Sequence, residues 1–310
     1  MNVMQLPGGG KVLTFTLPPH GFDPLKAGVE ELRSHGLPRR PDENPELLKR
    51  WKRAVSRVSH VIVPQFRRMD YKKHNLRGAR LPAGRTAAHG TEQSTVWSGG
   101  VVYAPAGTTM KWVEGHWTVP NVYPPKGATE GVWYSVSSWI GLDGDGSNDV
   151  LQAGCDSDVM TSGGVVSRQF NPWWEWYPAG SFWISNFAVS PGDELSCLIC
   201  IDDNSTTAGQ IFLTNVTSGV ALSFATTAPA GVSLQGNCAE WVVEALEIDT
   251  NVPELGKYGE VVFDDANAAT VSGVNLQPSS GNTINMIDSG NNIISTGEIE
   301  ADHVRCYYSG

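Results

Sequence analysis

From Trp97 onward, short apolar or alternating runs follow one another, each cut off by Gly, Pro, Asn or Asp. SGGVVYAP, HWTVPNV, GVWYSVSSWIGLDG, ISNFAVSPGDELSCLICI, QIFLTNVTSG and GEVVFDDANA all have this form. A period of two sends successive side chains to opposite faces of a strand, and the breakers supply the turns. Short strands at such close spacing fold back on one another, which predicts an antiparallel β-sandwich or barrel. One stretch reads either way. CAEWVVEALE brings Trp241, Val242, Ala245 and Leu246 onto one face of a helix, and its periodicity leans helical.

A chain of 310 residues, 40% of them apolar, has room for one large β domain and an appendage. Charge divides it at about the same place. The first 93 residues hold 17 of the 22 Lys and Arg but 8 of the 32 Asp and Glu, a net of +9 against −19 for the remainder. This predicts a basic N-terminal region, 1–93, ahead of an acidic domain, 94–310. The basic region carries helix signals. DPLKAGVEELRSHG offers Asp23 as N-cap and Gly36 as stop. NPELLKRWKRAVSRVSHVIV offers Asn44 and Pro45, then an apolar stripe of Leu48, Trp51, Val55, Val58 and Ile62, with Arg50, Arg53 and Arg57 off it. An anionic surface could take these arginines. The complementary charge lies in the same chain, however, and docking on the acidic domain is the expectation, with no nucleic-acid or membrane partner. Residues 76–94, rich in Gly, Ala and Arg, read as a linker. No run of 18 apolar residues is present, and MNVMQLPGGGKVLTF lacks the basic-then-apolar layout of a secretory signal.

Most familiar catalytic motifs are missing or incomplete. IDSG at 287–290 has no second Asp-Ser/Thr-Gly to share a proton with and reads as a turn. DGDGSND, 143–149, resembles a calcium loop but lacks its glycine at the sixth position and glutamate at the twelfth. Cys197 and Cys200 have no second pair at zinc spacing, and five cysteines form no dense disulfide framework. Asn204 and Asn215 open glycosylation sequons. No metal or cofactor is expected.

What remains is carboxylates and amides among aromatic strands. In NPWWEWYPAG, alternation places Trp173, Glu175 and Tyr177 on one face of a strand and turns Trp174 and Trp176 into the core. An acid between aromatics suits the floor of a binding cleft.

VWSGGVV, WIGLDG, VLQAG, WWEWYP and AEWVVE follow one another in the order and rough spacing of the glutamic peptidases, the eqolisin family, over about residues 95–306. The N-terminal HGLPRRPDENPELLKRW resembles leaders of its bacterial-type members. The resemblance implies a sandwich of two large antiparallel sheets, lectin-like, with the cleft on a concave face. That fold would make AEWVVE a strand. It further implies a catalytic dyad of Gln152 and Glu240, and a substrate cleft lined by Trp97, Trp139, Asp143, Glu175 and Tyr177. The chemistry is self-consistent. Water attack on an amide needs a base and a donor for the developing oxyanion. Glutamate supplies the first, and glutamine donates at every pH without adding a second charge.

The expected activity is therefore acid-acting endopeptidase on polypeptides. Secretion is implied by the resemblance, and the basic region is expected to be a prosegment that loosens between roughly pH 5 and 3 as carboxylates lose charge. The rival is a carbohydrate-binding sandwich, since aromatic–acid concave faces also grip sugars. A glycosidase using Glu175 and Glu240 is a weaker third, needing carboxyls about 5–9.5 Å apart.

Overall fold

The strands after residue 96 pair into one long antiparallel ribbon that doubles over into two layers. The computed structural model describes residues 1–75, 89–201, 205–249 and 254–310. In chain order the strands that build the layers are β1 (Trp97–Tyr103), β2 (Met110–Thr118), β3 (Trp133–Leu142), β4 (Val150–Ser162) and β5 (Val165–Tyr177). They continue as β6 (Glu194–Ile201), β7 (Ala208–Asn215), β8 (Val220–Thr227), β9 (Cys238–Glu244) and β10 (Glu260–Thr270). β11 (Asn282–Ile287), β12 (Ile293–Glu300) and β13 (His303–Tyr308) complete them. The first layer runs β5-β4-β3-β9-β1-β11 and the second β13-β10-β2-β6-β7-β8, all antiparallel. β12 pairs with both β11 and β13 and carries the ribbon around the corner. The result is the β-sandwich expected from the sequence.

Alternation decides what each layer gives to the space between them. Trp241 of β9, Ile140 of β3, Leu151 of β4 and Trp174 and Trp176 of β5 meet Trp117, Leu195, Leu213 and Phe263 of the second layer. Contact is close at Gly115, where a Cβ would come 3.0 Å from the Trp241 indole. The Trp241 Nε1 donates to the Glu114 carbonyl at 2.8 Å. The segment whose pattern leaned helical is therefore strand β9. Seated between β3 and β1, it completes two ladders, and this tertiary pairing overrides a local preference worth only tenths of a kcal/mol per residue.

The basic region lies against both layers. Its helices are shorter than the sequence patterns: α1 spans Val29–Ser34, with Gly28 rather than Asp23 at its cap, and α2 spans Pro45–Ser56. Asp23 instead closes a turn onto the Leu25 N–H. The side chain of Asn44 caps α2 as expected, accepting from the amides of Glu46 and Leu47. The buried face of α2 is Leu47, Arg50, Trp51, Ala54 and Val55, rotated from the expected stripe, while Val58 and Ile62 fall beyond the helix. Trp51 and its neighbours cover Trp112, Leu198 and Phe212 on the outer side of the second layer.

Arg50 was expected off the buried stripe and is in it. Its guanidinium bonds Glu114 at 3.1 Å, Glu46 at 3.0 Å and the Asp265 carbonyl at 2.8 Å, so burial leaves no charge unpaired. Arg53 pairs with Asp265 at 2.8 Å and Arg57 with Glu194 at 3.2 Å. Of the segment read as a linker, 76–88 lies outside the described residues, and Thr91–Ser94 is a strand parallel to β11.

Candidate active site

Gln152, Glu175 and Glu240 lie on the outward face of the first layer. Neighbouring strands align Glu175 (β5), Gln152 (β4), Gly141 (β3), Glu240 (β9) and Val101 (β1) in a single row. The next row on this face is Trp173, Gly154, Trp139, Val242 and Gly99, and beyond it Asn171, Asp156, Ser137, Glu244 and Trp97. Gln152 and Glu240 therefore flank a residue without a side chain. Their backbones stand about 9–10 Å apart, two strand spacings, with Gly141 between them. The position is close-packed: a Cβ on Gly141 would meet the Trp139 ring and Val150 at 3.0 Å, and both side chains would have to give way by a few tenths of an ångström.

Gln152 and Glu175 are joined directly. The Gln152 Nε2 donates to the Glu175 Oε2 at 3.0 Å, which fixes the amide and leaves its second N–H for another acceptor. Burial pushes the Glu175 carboxyl up to about 7, and the nearby Glu244 charge adds to that against the opposing pull of His74 and the Gln152 bond. Glu175 is thus neutral throughout the acid range. Glu240 is fully buried. Gly144, held at φ +116°, lies against its carboxylate, and a Cβ there would stand 2.4 Å from Oε1. The Cys238 thiol lies 3.9 Å from Oε2, and burial raises its pKa so that it stays a neutral, weak donor.

Trp97 and Trp139 meet edge to face with ring centres 5.0 Å apart, and Tyr177 flanks the same cluster as Trp173. Asp143 does not face the row. At φ +66° its carboxylate accepts the backbone N–H groups of Gln235 (2.6 Å), Gly236 (2.8 Å), Asn237 (2.6 Å) and Cys238 (3.4 Å). It clamps the chain entering β9 and so positions Glu240 from behind.

Several residues of this face had not been singled out. Glu244 accepts the Trp139 Nε1 at 2.9 Å, and Asp156 accepts the Ser137 hydroxyl at 2.6 Å. Alternation from Glu240 and from Gln152 would have found both. The basic region supplies the rest. Met69 joins the cluster of Trp97, Trp139 and Trp173. The Lys72 ammonium bonds Asp156 at 3.0 Å and also Asp158. The His74 ring stacks on Trp173 with centres 3.6 Å apart, and its Nδ1 lies 3.1 Å from the Glu244 Oε2. The Asn75 amide donates to the other Glu244 oxygen at 2.7 Å. Burial disfavours the charged His74 ring, but the Glu244 carboxylate more than offsets this and holds its pKa above the ordinary 6.5. No sequence pattern announces these contacts.

The remaining motifs have structural roles. Asp288 forms an exposed turn by accepting from Gly290 and Asn292 at 2.8 Å. In the DGDGSND stretch Asp143 is committed to backbone amides and Asp145 to the Tyr103 hydroxyl. Among the described residues no group of three or more His, Cys, Asp or Glu is arranged to hold a metal. Cys197 and Cys200, three apart on β6, fall on opposite faces and cannot pair. Asn215 is buried and donates to Ala188 and Asp193, and Asn204 lies outside the described residues.

Known proteins resemble this chain in sequence and in fold. Aspergillopepsin-2 of Aspergillus niger is 27% identical over 235 residues, 70% of this chain and 78% of that protein. Scytalidopepsin B of Scytalidium lignicola is 27% identical over 179 residues, 56% of this chain and 62% of that protein. The fold matches scytalido-glutamic peptidase, solved with a transition state analog inhibitor, at a TM-score of 0.57 and 23% identity, covering 69% of this chain and 98% of that one. Residues 95–308 match the Peptidase A4 family along nearly the whole sandwich, and the chain belongs to that family of glutamic peptidases.

Proposed function

We propose that the chain is an acid-acting endopeptidase in which Glu240 is the base and Gln152 the oxyanion donor. The observation that carries this reading is the shared row, with an amide and a carboxylate on either side of the bare Gly141. A peptide carbonyl lying over Gly141 meets both. Glu240 takes a proton from water as its oxygen attacks the carbonyl carbon. The oxyanion accepts the Gln152 N–H that Glu175 leaves unused, and Glu240 returns the proton to the leaving amine as the C–N bond breaks. Trp97, Trp139, Glu175 and Tyr177 form the walls and floor for substrate. Asp143 acts through the chain behind Glu240.

The basic region acts as a prosegment docked on the acidic domain. Arg50 and Arg53 of α2 and Arg57 just after it, paired with Glu114, Asp265 and Glu194, support the docking, and Met69, Lys72 and His74 against the cleft face support latency. A carbohydrate-binding role is not favoured, because the family is one of peptidases. Nor is a two-carboxylate glycosidase, since Gln152 stands between Glu175 and Glu240 and bonds the former.

The test is proteolysis of a denatured protein at acid pH. Glu240→Gln should lose at least about 10²–10⁴ in kcat and Gln152→Ala about 10²–10³, with little change in KM. Near-normal turnover by either variant overturns the dyad.

A further inference from the structure

We infer that Tyr103 is a positioning residue for Glu240, its hydroxyl tying down, through Asp145, the loop that bears on the Glu240 carboxylate. This rests on the peptidase reading above, in which Glu240 is the base.

Gln152 is fixed by its bond to Glu175, but Glu240 is held from above by a loop. Residues 143–149 join β3 to β4, and Gly144 within them lies so close that a Cβ would stand 2.4 Å from the Glu240 Oε1. Asp143 ties one end of this loop to the amides of residues 235–238. Asp145, on the other side of Gly144, is buried. The Cys238 thiol lies 3.6 Å from the Asp145 carbonyl oxygen and 3.9 Å from the Glu240 Oε2. Loop, thiol and carboxylate therefore form one packed unit, and a shift of Asp145 moves what rests on Glu240.

Tyr103 is placed to hold it. Alternation from Trp97, Gly99 and Val101 puts Tyr103 on the working face, opposite Cys238 and one row past the dyad. Its ring packs against the cluster of Trp97 and Trp139. Its hydroxyl bonds the Asp145 carboxylate and lies 3.1 Å from the Glu92 Oε1. Glu92 comes from the strand Thr91–Ser94, ahead of the stretch 95–308 that matches the family. Asn282, opposite Val101 at the end of the dyad row, donates to the same Glu92 oxygen at 2.7 Å. A phenol has one proton, and here two carboxylates share it in a three-centre bond. Burial, then the Asp145 and Glu92 charges, raise the Tyr103 phenol far above its ordinary value, so the proton stays in place in acid and at neutral pH. A hydroxyl bonded to a carboxylate is a short, directional contact. Without it Asp145 loosens and Gly144 with it, while the Tyr103 ring, Gln152 and the cleft walls keep their places.

Tyr103→Phe in the full-length chain removes the hydroxyl and keeps the ring. Assayed in acid on a peptide spanning a mapped cut site, it should lower kcat about tenfold and leave KM within about twofold, because the base is loosened and the substrate walls are untouched. Hydrogen exchange over residues 141–151 should quicken. Asp145→Ala should lose at least as much kcat, Asp145→Asn, which keeps an acceptor oxygen, should recover most of it, and Tyr103→Phe/Asp145→Ala should lose no more than Asp145→Ala alone. Tyr258→Phe is the comparison: it removes a buried hydroxyl bonded to Ser295 at 2.6 Å inside the sandwich, and should lower the unfolding temperature with kcat unchanged. An unchanged kcat in Tyr103→Phe, a loss carried by KM, or an equal loss in Tyr258→Phe overturns the assignment and leaves the peptidase reading intact. If the parent cleaves no polypeptide, the peptidase reading fails separately, and exchange alone decides whether Tyr103 holds the loop. Faster exchange over 141–151 in Tyr103→Phe then upholds the anchor, and unchanged exchange overturns it.

Discussion

Replacing Glu175 by glutamine should stabilise the protein at neutral pH and leave its stability unchanged in acid. Burial raises the Glu175 carboxyl in the folded chain to about 7, against 4.5 for an ordinary glutamate. Below pH 4.5 the group is protonated in both the folded and the unfolded chain and contributes nothing to the difference. Between 4.5 and 7 the unfolded chain ionises and the folded one resists, so stability falls as pH rises. Above 7 the loss is complete, and a gap from 4.5 to about 7 corresponds to about 3 kcal/mol. Glutamine keeps the oxygen that accepts the Gln152 N–H at 3.0 Å and cannot ionise. The Glu175→Gln variant should therefore unfold at the same temperature as the parent at pH 4 and about 6 °C higher at pH 8. Thermal unfolding of both chains across pH 4–8 is the assay. A difference that does not change with pH, or a variant less stable than its parent at pH 8, refutes the reasoning. Turnover should fall less than in Glu240→Gln, because glutamine still orients Gln152.

Gly144→Ala should cut kcat about 100-fold, because the new Cβ would stand 2.4 Å from the Glu240 Oε1 and displace the proposed base by roughly 1 Å. A loss of stability with unchanged kcat would separate Glu240 from the chemistry. Asp143→Ala leaves the four amides of residues 235–238 without their acceptor and should cost about 2–4 kcal/mol in denaturant unfolding. An unchanged midpoint would mean that water replaces the clamp. Mild acid should not release the basic region. Burial holds Glu114 up to about 7 beneath Arg50, and His74 lies above its ordinary value, so both bind protons more readily with the region seated. His116 pulls the other way: burial and Arg57 hold it down to about 4, so its contribution to seating is present above 6.5 and fades toward 4. Hydrogen exchange of the α2 amides should therefore stay slow at pH 6 and 5 and quicken below about 4.5, and quickening complete by pH 6 would contradict this balance.

The sequence alone determined what depends on short-range order. Period-two alternation sorted Trp173, Glu175 and Tyr177 from Trp174 and Trp176, because the face a side chain takes in a strand follows from its position alone. The Asn44-Pro45 start of α2 was legible for the same reason, since a cap is satisfied within its own first turn. The charge division was legible as composition, and the ordered motifs carried the family. Tertiary structure decided the rest. CAEWVVEALE became a strand only because β1 and β3 offered it two ladders. Gln152, Gly141 and Glu240 share a row because of strand register, which no local pattern encodes. Arg50 is buried because Glu114, distant in sequence, lies opposite, and Lys72 reaches the cleft because Asp156 and Asp158 await it. A buried charge is tolerable only where a partner stands, and where partners stand is fixed by the folded chain as a whole.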